Sequence, residues 1–266
     1  MKLKNLFKYA LIVAFLAMGT TEMVAQKKAT AKKKTPARTS AAASKTSGPA
    51  LSASKLVDTK YFVSTYTGQN DQWFFQWVTL RPDNHAYCDY KEGDFNASWK
   101  VVGNSLKISN GTKEIFSETS SNGGKTFSGK MSGINTCNFY DITLSHGSNF
   151  TAAGVEKDLL AGNYYAFLGY QPRSNSMIMG FPVSVKFQQE EETQGTGTFK
   201  ITGENKLLAG LGGLKFDYEF GANQLITSKT NDQQDVTPYD DWTTQYFVLN
   251  LGPSKVGTLY LYLIKK

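Results

Sequence analysis

Cysteine and histidine are nearly missing from this chain: its 266 residues hold two of each, Cys88, Cys137, His85 and His146. That scarcity excludes zinc ribbons, disulfide-dense scaffolds and most histidine-based acid–base catalysis, since the chain from residue 148 onward has neither residue type. The stretch HAYCD brings His85 and Cys88 close in sequence, but along a strand they fall on opposite faces and cannot share one ion. Nucleophile and zinc motifs of the types G-x-S-x-G and H-E-x-x-H are absent. The GTGT at 195–198 is followed by no Gly-Lys-Ser/Thr, so it is no phosphate loop. Carboxylates gather at Glu190, Glu191 and Glu192 and again at Asp232, Asp235, Asp240 and Asp241, both in turn-rich polar stretches without the spacing of a calcium loop. The reading is a non-enzymatic protein with no catalytic residues, no metal and no cofactor.

Long apolar runs are lacking too. Tyr9 to Thr21 is an uncharged, largely apolar run of 13 residues, preceded by Lys2, Lys4 and Lys8. A spanning helix needs about 20, so residues 1–25 read as a signal peptide with Ala25 at the cleavage position, and no cysteine in the leader offers a lipid anchor. Acidic residues are absent from 26–49, QKKATAKKKTPARTSAAASKTSGP, which carries seven basic ones. The chain has 29 basic and 22 acidic residues, of which ten and one lie in the first 50, leaving 19 and 21 for residues 51–266 and a net charge of −2. The basic pI therefore belongs to the tail, and the rest lacks the positive charge of a nucleic-acid reader. Residues 26–50 cannot bury enough apolar surface to offset chain entropy, so they read as a disordered linker. The expectation is an exported protein of a bacterial envelope, periplasmic or extracellular, with no transmembrane segment in the mature chain and no nucleic-acid partner.

What is abundant is aromatic residues in alternation. VSVKF sets Val183, Val185 and Phe187 on one face, FDYEF does the same with Phe216, Tyr218 and Phe220, and Gly/Asn/Ser clusters separate such runs. That pattern predicts an all-β chain. Only SKLVD and EKDLLAG look helical, a turn or two each. These two scraps open an ordered set of internal matches: Tyr61 over Tyr164, Phe75 over Phe181, Trp99 over Tyr218 and Tyr140 over Tyr260, at offsets that only rise along the chain. The order argues for two similar modules, 51–147 and 158–266, joined by a linker at 148–157. In an exported chain Cys88 and Cys137 read first as one disulfide, with two buried free thiols as the alternative. The C-terminal TLYLYLIKK is apolar on both faces, so one face must be covered by something outside its own module.

The segment LLAGNYYAFLG, a helical turn followed by Gly, an aromatic and a strand, resembles the start of a bacterial lipocalin-like domain, and GDFNASWKVVGNSLKI is similar to that family's Trp-led strand–turn–strand. Tyr164 stands where the family has Trp, and Thr59 replaces the Gly in the first module. The resemblance implies a meander of antiparallel strands closed into a barrel around an apolar pocket. Closure removes exposed edges, and about eight strands leave an interior that side chains fill or that holds one small ligand. A two-sheet sandwich remains open. The expected function is binding of a hydrophobic small molecule or lipid in a barrel lumen, with Phe75, Trp77, Trp99, Tyr164 and Tyr218 as ligand-contacting residues. The alternative is an interaction protein that docks aromatic outer faces onto an envelope protein or glycan.

Overall fold

The computed structural model describes residues 51–67, 73–89, 95–133, 135–143, 162–172, 178–191, 194–201, 214–220, 224–228, 234–242, 246–253 and 257–266. The signal peptide, the basic linker, the 148–157 linker and all of EKDLLAG but its Gly162 lie outside them. After a short 3-10 turn at Ala53–Lys55 come eight strands: β1 Lys60–Tyr66, β2 Trp73–Leu80, β3 His85–Asp89, β4 Phe95–Val102, β5 Ser105–Asn110, β6 Lys113–Thr119, β7 Thr126–Met131 and β8 Asn135–Asp141. Eight more follow: β9 Gly162–Pro172, β10 Ile178–Gln189, β11 Gln194–Ile201, β12 Leu214–Phe220, β13 Gln224–Ser228, β14 Gln234–Trp242, β15 Tyr246–Pro253 and β16 Gly257–Lys265. The fold is all-β and antiparallel, as the alternation predicts. Among the described residues no helix is long and apolar enough to cross a membrane.

Each of β1 to β8 pairs with its sequence neighbour, and β8 returns to β1 with Phe139 opposite Val63 and Cys137 opposite Thr65. The result is a closed eight-stranded up-and-down barrel. The pairings of β9 to β16 close in the same way, β16 onto β9 with Leu261 opposite Leu168. Closure excludes the two-sheet sandwich. Tight hairpins make the meander possible: Gly103 and Gly111 sit at φ 61° and 58°, each first in a two-residue loop, between Val102 and Ser105 and between Asn110 and Lys113. Left-handed backbone there suits glycine, and it matches the twist of the flanking strands.

The first ring is packed solid by its inward residues. Tyr61, Val63, Val78, Leu80, Trp99, Ile108, Phe116, Phe127 and Phe139 belong to one buried cluster. Phe116 meets Phe139 edge-on at 5.2 Å, and Tyr61 meets Phe127 at 5.7 Å. The 3-10 turn seals one end. Leu56 is buried in the cluster, the Asp58 amide donates to the Leu80 carbonyl at 2.7 Å, and the Tyr61 hydroxyl donates to the Gly124 carbonyl at 2.9 Å.

A second cluster lies between the rings, on their outer faces. Phe62, Phe75 and Tyr140 from the first ring meet Phe167, Tyr246, Tyr262 and Ile264 from the second. Phe62 is its centre, with ring centroids 5.4 Å from Phe75, 5.5 Å from Phe167 and 5.2 Å from Tyr262. This is the cover that the two-faced C-terminal strand requires: Leu261 and Leu263 face one way, and Tyr262 and Ile264 pack against the first ring. A short seam joins the two sheets, Ile178, Met179 and Gly180 pairing with Phe75, Phe74 and Trp73. Both strand starts run past their other neighbours there, β2 beyond β3, whose pairing begins at Trp77, and β10 beyond β11, whose pairing begins at Val183. Each overhang supplies the missing partner of the other. Gly180 makes the approach possible, because a Cβ there would sit 2.0 Å from the Leu168 carbonyl oxygen and 2.8 Å from the Phe75 ring.

Candidate functional site

The five expected ligand-contacting residues fall in three separate places. Phe75 and Trp77 share the outer face of β2, where Phe75 belongs to the inter-ring cluster and Trp77 packs on it. Trp99 points into the first ring, and its indole N–H donates to the Arg81 carbonyl at 3.0 Å. No lumen is therefore lined by Trp77 and Trp99 together; the wall of the ring stands between them. Tyr164 and Tyr218 do come together, inside the second ring, on either side of Phe187 with edge-on centroid distances of 5.5 and 5.0 Å. Burial pushes the Tyr164 phenol upward and the Tyr218 phenol up to about 12, so both hydroxyls stay protonated donors.

The second ring differs from the first in its wall. Its strands β9 and β10 are 11 and 12 residues long, against 7 and 8 for β1 and β2. The other six strands of the second ring run 5 to 9 residues, so the extra length is confined to the β9–β10 side. Its inward positions include Ala166, Leu168, Val185 and Leu261, all buried. On β11 the inward positions are Gly195, Gly197 and Phe199, with Gly197 opposite Phe187. Two successive glycines on that face place no side chain in the interior.

The cysteines do not bridge. Both are buried free thiols. Cys88 on β3 and Cys137 on β8 are three strand steps apart around the ring, β8 to β1 to β2 to β3. That is about 14 Å of wall at about 4.8 Å per step, while a disulfide needs Cα atoms about 4.4–6.8 Å apart. The expected bridge fails on ring geometry, and the two-thiol alternative holds. Burial pushes the Cys88 thiol up to about 12 and the Cys137 thiol higher still, so neither is a ready nucleophile. His85 is exposed, 3.9 Å from the Asp83 carboxylate, with Cys88 inside the wall. Among the described residues no group of three potential ligands surrounds a metal position.

Sequence reasoning missed the most unusual polar group, Glu118. It is fully buried in the first ring, where the Cys137 thiol donates to its Oε1 at 2.8 Å and its Oε2 has no partner. Burial pushes its pKa up to about 8, against the smaller lowering effects of the Cys137 thiol and the Ser117 main chain. The signal was present in KEIFSET: Phe116 and Glu118 share a strand face, so a buried Phe116 implies an inward Glu118.

Comparison with protein-family models, curated proteins and solved structures finds no match to this chain. Fold and interior together define an all-antiparallel closed β-barrel protein.

Proposed function

We propose that this is an exported envelope binding protein of lipocalin-like construction that holds a hydrophobic small molecule or lipid, with the second ring as the container. One observation carries the reading: Gly195 and Gly197 on β11 place no side chain on their stretch of the second ring's inner face, which Phe181, Phe187 and Phe199 otherwise share with smaller residues, whereas the first ring's inner face carries one continuous aromatic cluster. Tyr164 and Tyr218 give that interior two polar handles for the head of an otherwise apolar ligand. The tandem reading draws support from the matched residues. Tyr61 and Tyr164 face inward on β1 and β9, Trp99 and Tyr218 inward on β4 and β12, and Tyr140 and Tyr260 outward on β8 and β16. Phe75 and Phe181 break the pattern, since Phe75 faces outward and Phe181, opposite Leu168, inward, a one-residue slip between β2 and β10. Export rests on the charged and apolar pattern of residues 1–25.

The docking alternative finds less support, because the outer aromatics Phe62, Phe75 and Tyr140 are buried against the second ring's Phe167, Tyr246 and Tyr262. Native mass spectrometry of protein purified from its own envelope should show a co-purifying apolar mass. An environment-sensitive apolar dye should bind the stripped protein, and Gly197→Phe should weaken that binding at least tenfold without lowering the melting temperature. A stripped protein that binds no apolar dye, and carries no ligand mass before stripping, would overturn the proposal.

A further inference from the structure

We propose that Glu118, tied to Cys137 across β7, is a latch on the β6–β8 wall of the first ring: the thiol donates the bond, and the wall loosens when Glu118 gives up its own proton and leaves a charge buried there. The two residues are not on adjacent strands. Gly129 of β7 stands between them, opposite Glu118 on one side and Cys137 on the other. Only a residue without a side chain leaves the path open, since a Cβ at Gly129 would lie 2.1 Å from the Ser117 carbonyl oxygen and 2.7 Å from Glu118 Cα. The tie is thus a side-chain bond over the top of a strand that already pairs with both neighbours.

Its surroundings make it proton-dependent. Around Glu118 the inner face presents Leu106 from β5, Gly129 from β7, Cys137 from β8 and, opposite Cys137, Thr65 from β1. The other titratable groups of the buried cluster are Tyr61 and Cys88, both pushed upward by burial, and among the described residues no lysine or arginine is buried. The ion pair on this sheet, Lys107 with Glu114, is exposed to solvent. A carboxylate here would have one weak thiol donor and an oxygen with none. Such a charge gains most by reaching water, and reaching water means parting β7 from its neighbours. In the open wall Glu118 would titrate as an ordinary carboxyl, near 4.5, and in the closed wall at about 8. Between those limits each pH unit favours the open form by up to about tenfold, and above the upper limit the gain stops.

The two thiols make the test internal. Cys137 sits at the tie, while Cys88 lies on β3, between β2 and β4 and outside the β6–β8 wall. Alkylation of the full chain by a thiol reagent is quantified at each cysteine by peptide mapping, and each rate is divided by that of the same cysteine in the denatured chain at the same pH, which removes the general rise of thiol reactivity. Global unfolding releases the same Glu118 proton, so Cys88 shares any climb that global unfolding carries, and the excess of Cys137 over Cys88 marks the local opening. The normalised Cys137 rate should exceed that of Cys88 and climb by up to about tenfold per unit from pH 6 to 8 before levelling off, and in Glu118→Gln the climb should vanish. A Cys137 rate no faster than that of Cys88 in the wild type overturns the proposal, as does an equal climb in Glu118→Gln. Should that variant not fold, amide hydrogen exchange of the wild type decides. With rising pH, peptides spanning 126–140 must lose protection ahead of those spanning 73–89; simultaneous loss means global unfolding and overturns the local latch.

Discussion

Glu118 shows at the scale of one residue what a closed ring does to a carboxyl group. In the unfolded chain it ionises as an ordinary carboxyl, while in the folded chain burial holds its proton up to about pH 8. A raised folded-state value means that its contribution is fully present below the unfolded pKa and is lost as pH rises toward the folded one. Stability should therefore fall between about pH 5 and 8, by up to about 1.4 kcal/mol per unit, and flatten just above. Urea denaturation at a series of pH values checks this, and Glu118→Gln should remove most of the slope. A slope unchanged in the variant would assign it to other groups. Measurements should stop below pH 9, where the unfolded-state ionisation of Cys88 and Cys137, both raised by burial in the folded ring, adds a loss of the same sign.

Individual strands show what alternation can and cannot reveal. VSVKF could be assigned to a face from sequence because Val183, Val185 and Phe187 are all buried and Lys186 is exposed. SKLVD correctly marked the turn before β1, which ends in the buried Leu56. Period two says that two faces differ, however, not which neighbour each face meets. That is why Phe75 and Trp77 were legible as one face but not as the covered outer one, and why Cys88 and Cys137 gave no hint of the three strands' width between them. Ring closure is a pairing between residues some 75 apart, Phe62 with Tyr140 for example, and no local pattern encodes it. Gly129 was equally silent in sequence, although the structure gives it a fixed role. Gly129→Ala would drive a Cβ into the Ser117 main chain and part β6 from β7. The cost should be about 1–3 kcal/mol or more, read from chemical denaturation, whereas Gly111→Asn, in an open hairpin turn at φ 58°, should cost well under that. Equal costs would deny Gly129 its special place.

At the scale of the molecule, the inter-ring cluster decides whether the chain unfolds in one step. Tyr262 is fully committed to that cluster and Leu261, its neighbour in sequence, to the interior of the second ring. Burying an unpaired carboxylate at either position should cost several kcal/mol, but in different ways. Leu261→Asp should lower the unfolding of the second ring directly. Tyr262→Asp should uncouple the rings, so that calorimetry resolves two transitions where the wild type has one. A single transition in Tyr262→Asp, shifted as in Leu261→Asp, would mean that the outer cluster does not hold the rings together. The same arrangement sets a schedule during synthesis. Every strand of the first ring has been made once residue 141 is added, so that ring can close ahead of the second. The residues that cover its outer aromatics arrive later, and β16, which carries Tyr262 and Ile264, comes last of all. At about 5–20 residues per second the remaining stretch of roughly 120 residues takes on the order of 6–25 seconds. For that interval a finished barrel carries Phe62, Phe75 and Tyr140 bare to the solvent, so the nascent protein has a sticky side that the mature one has lost.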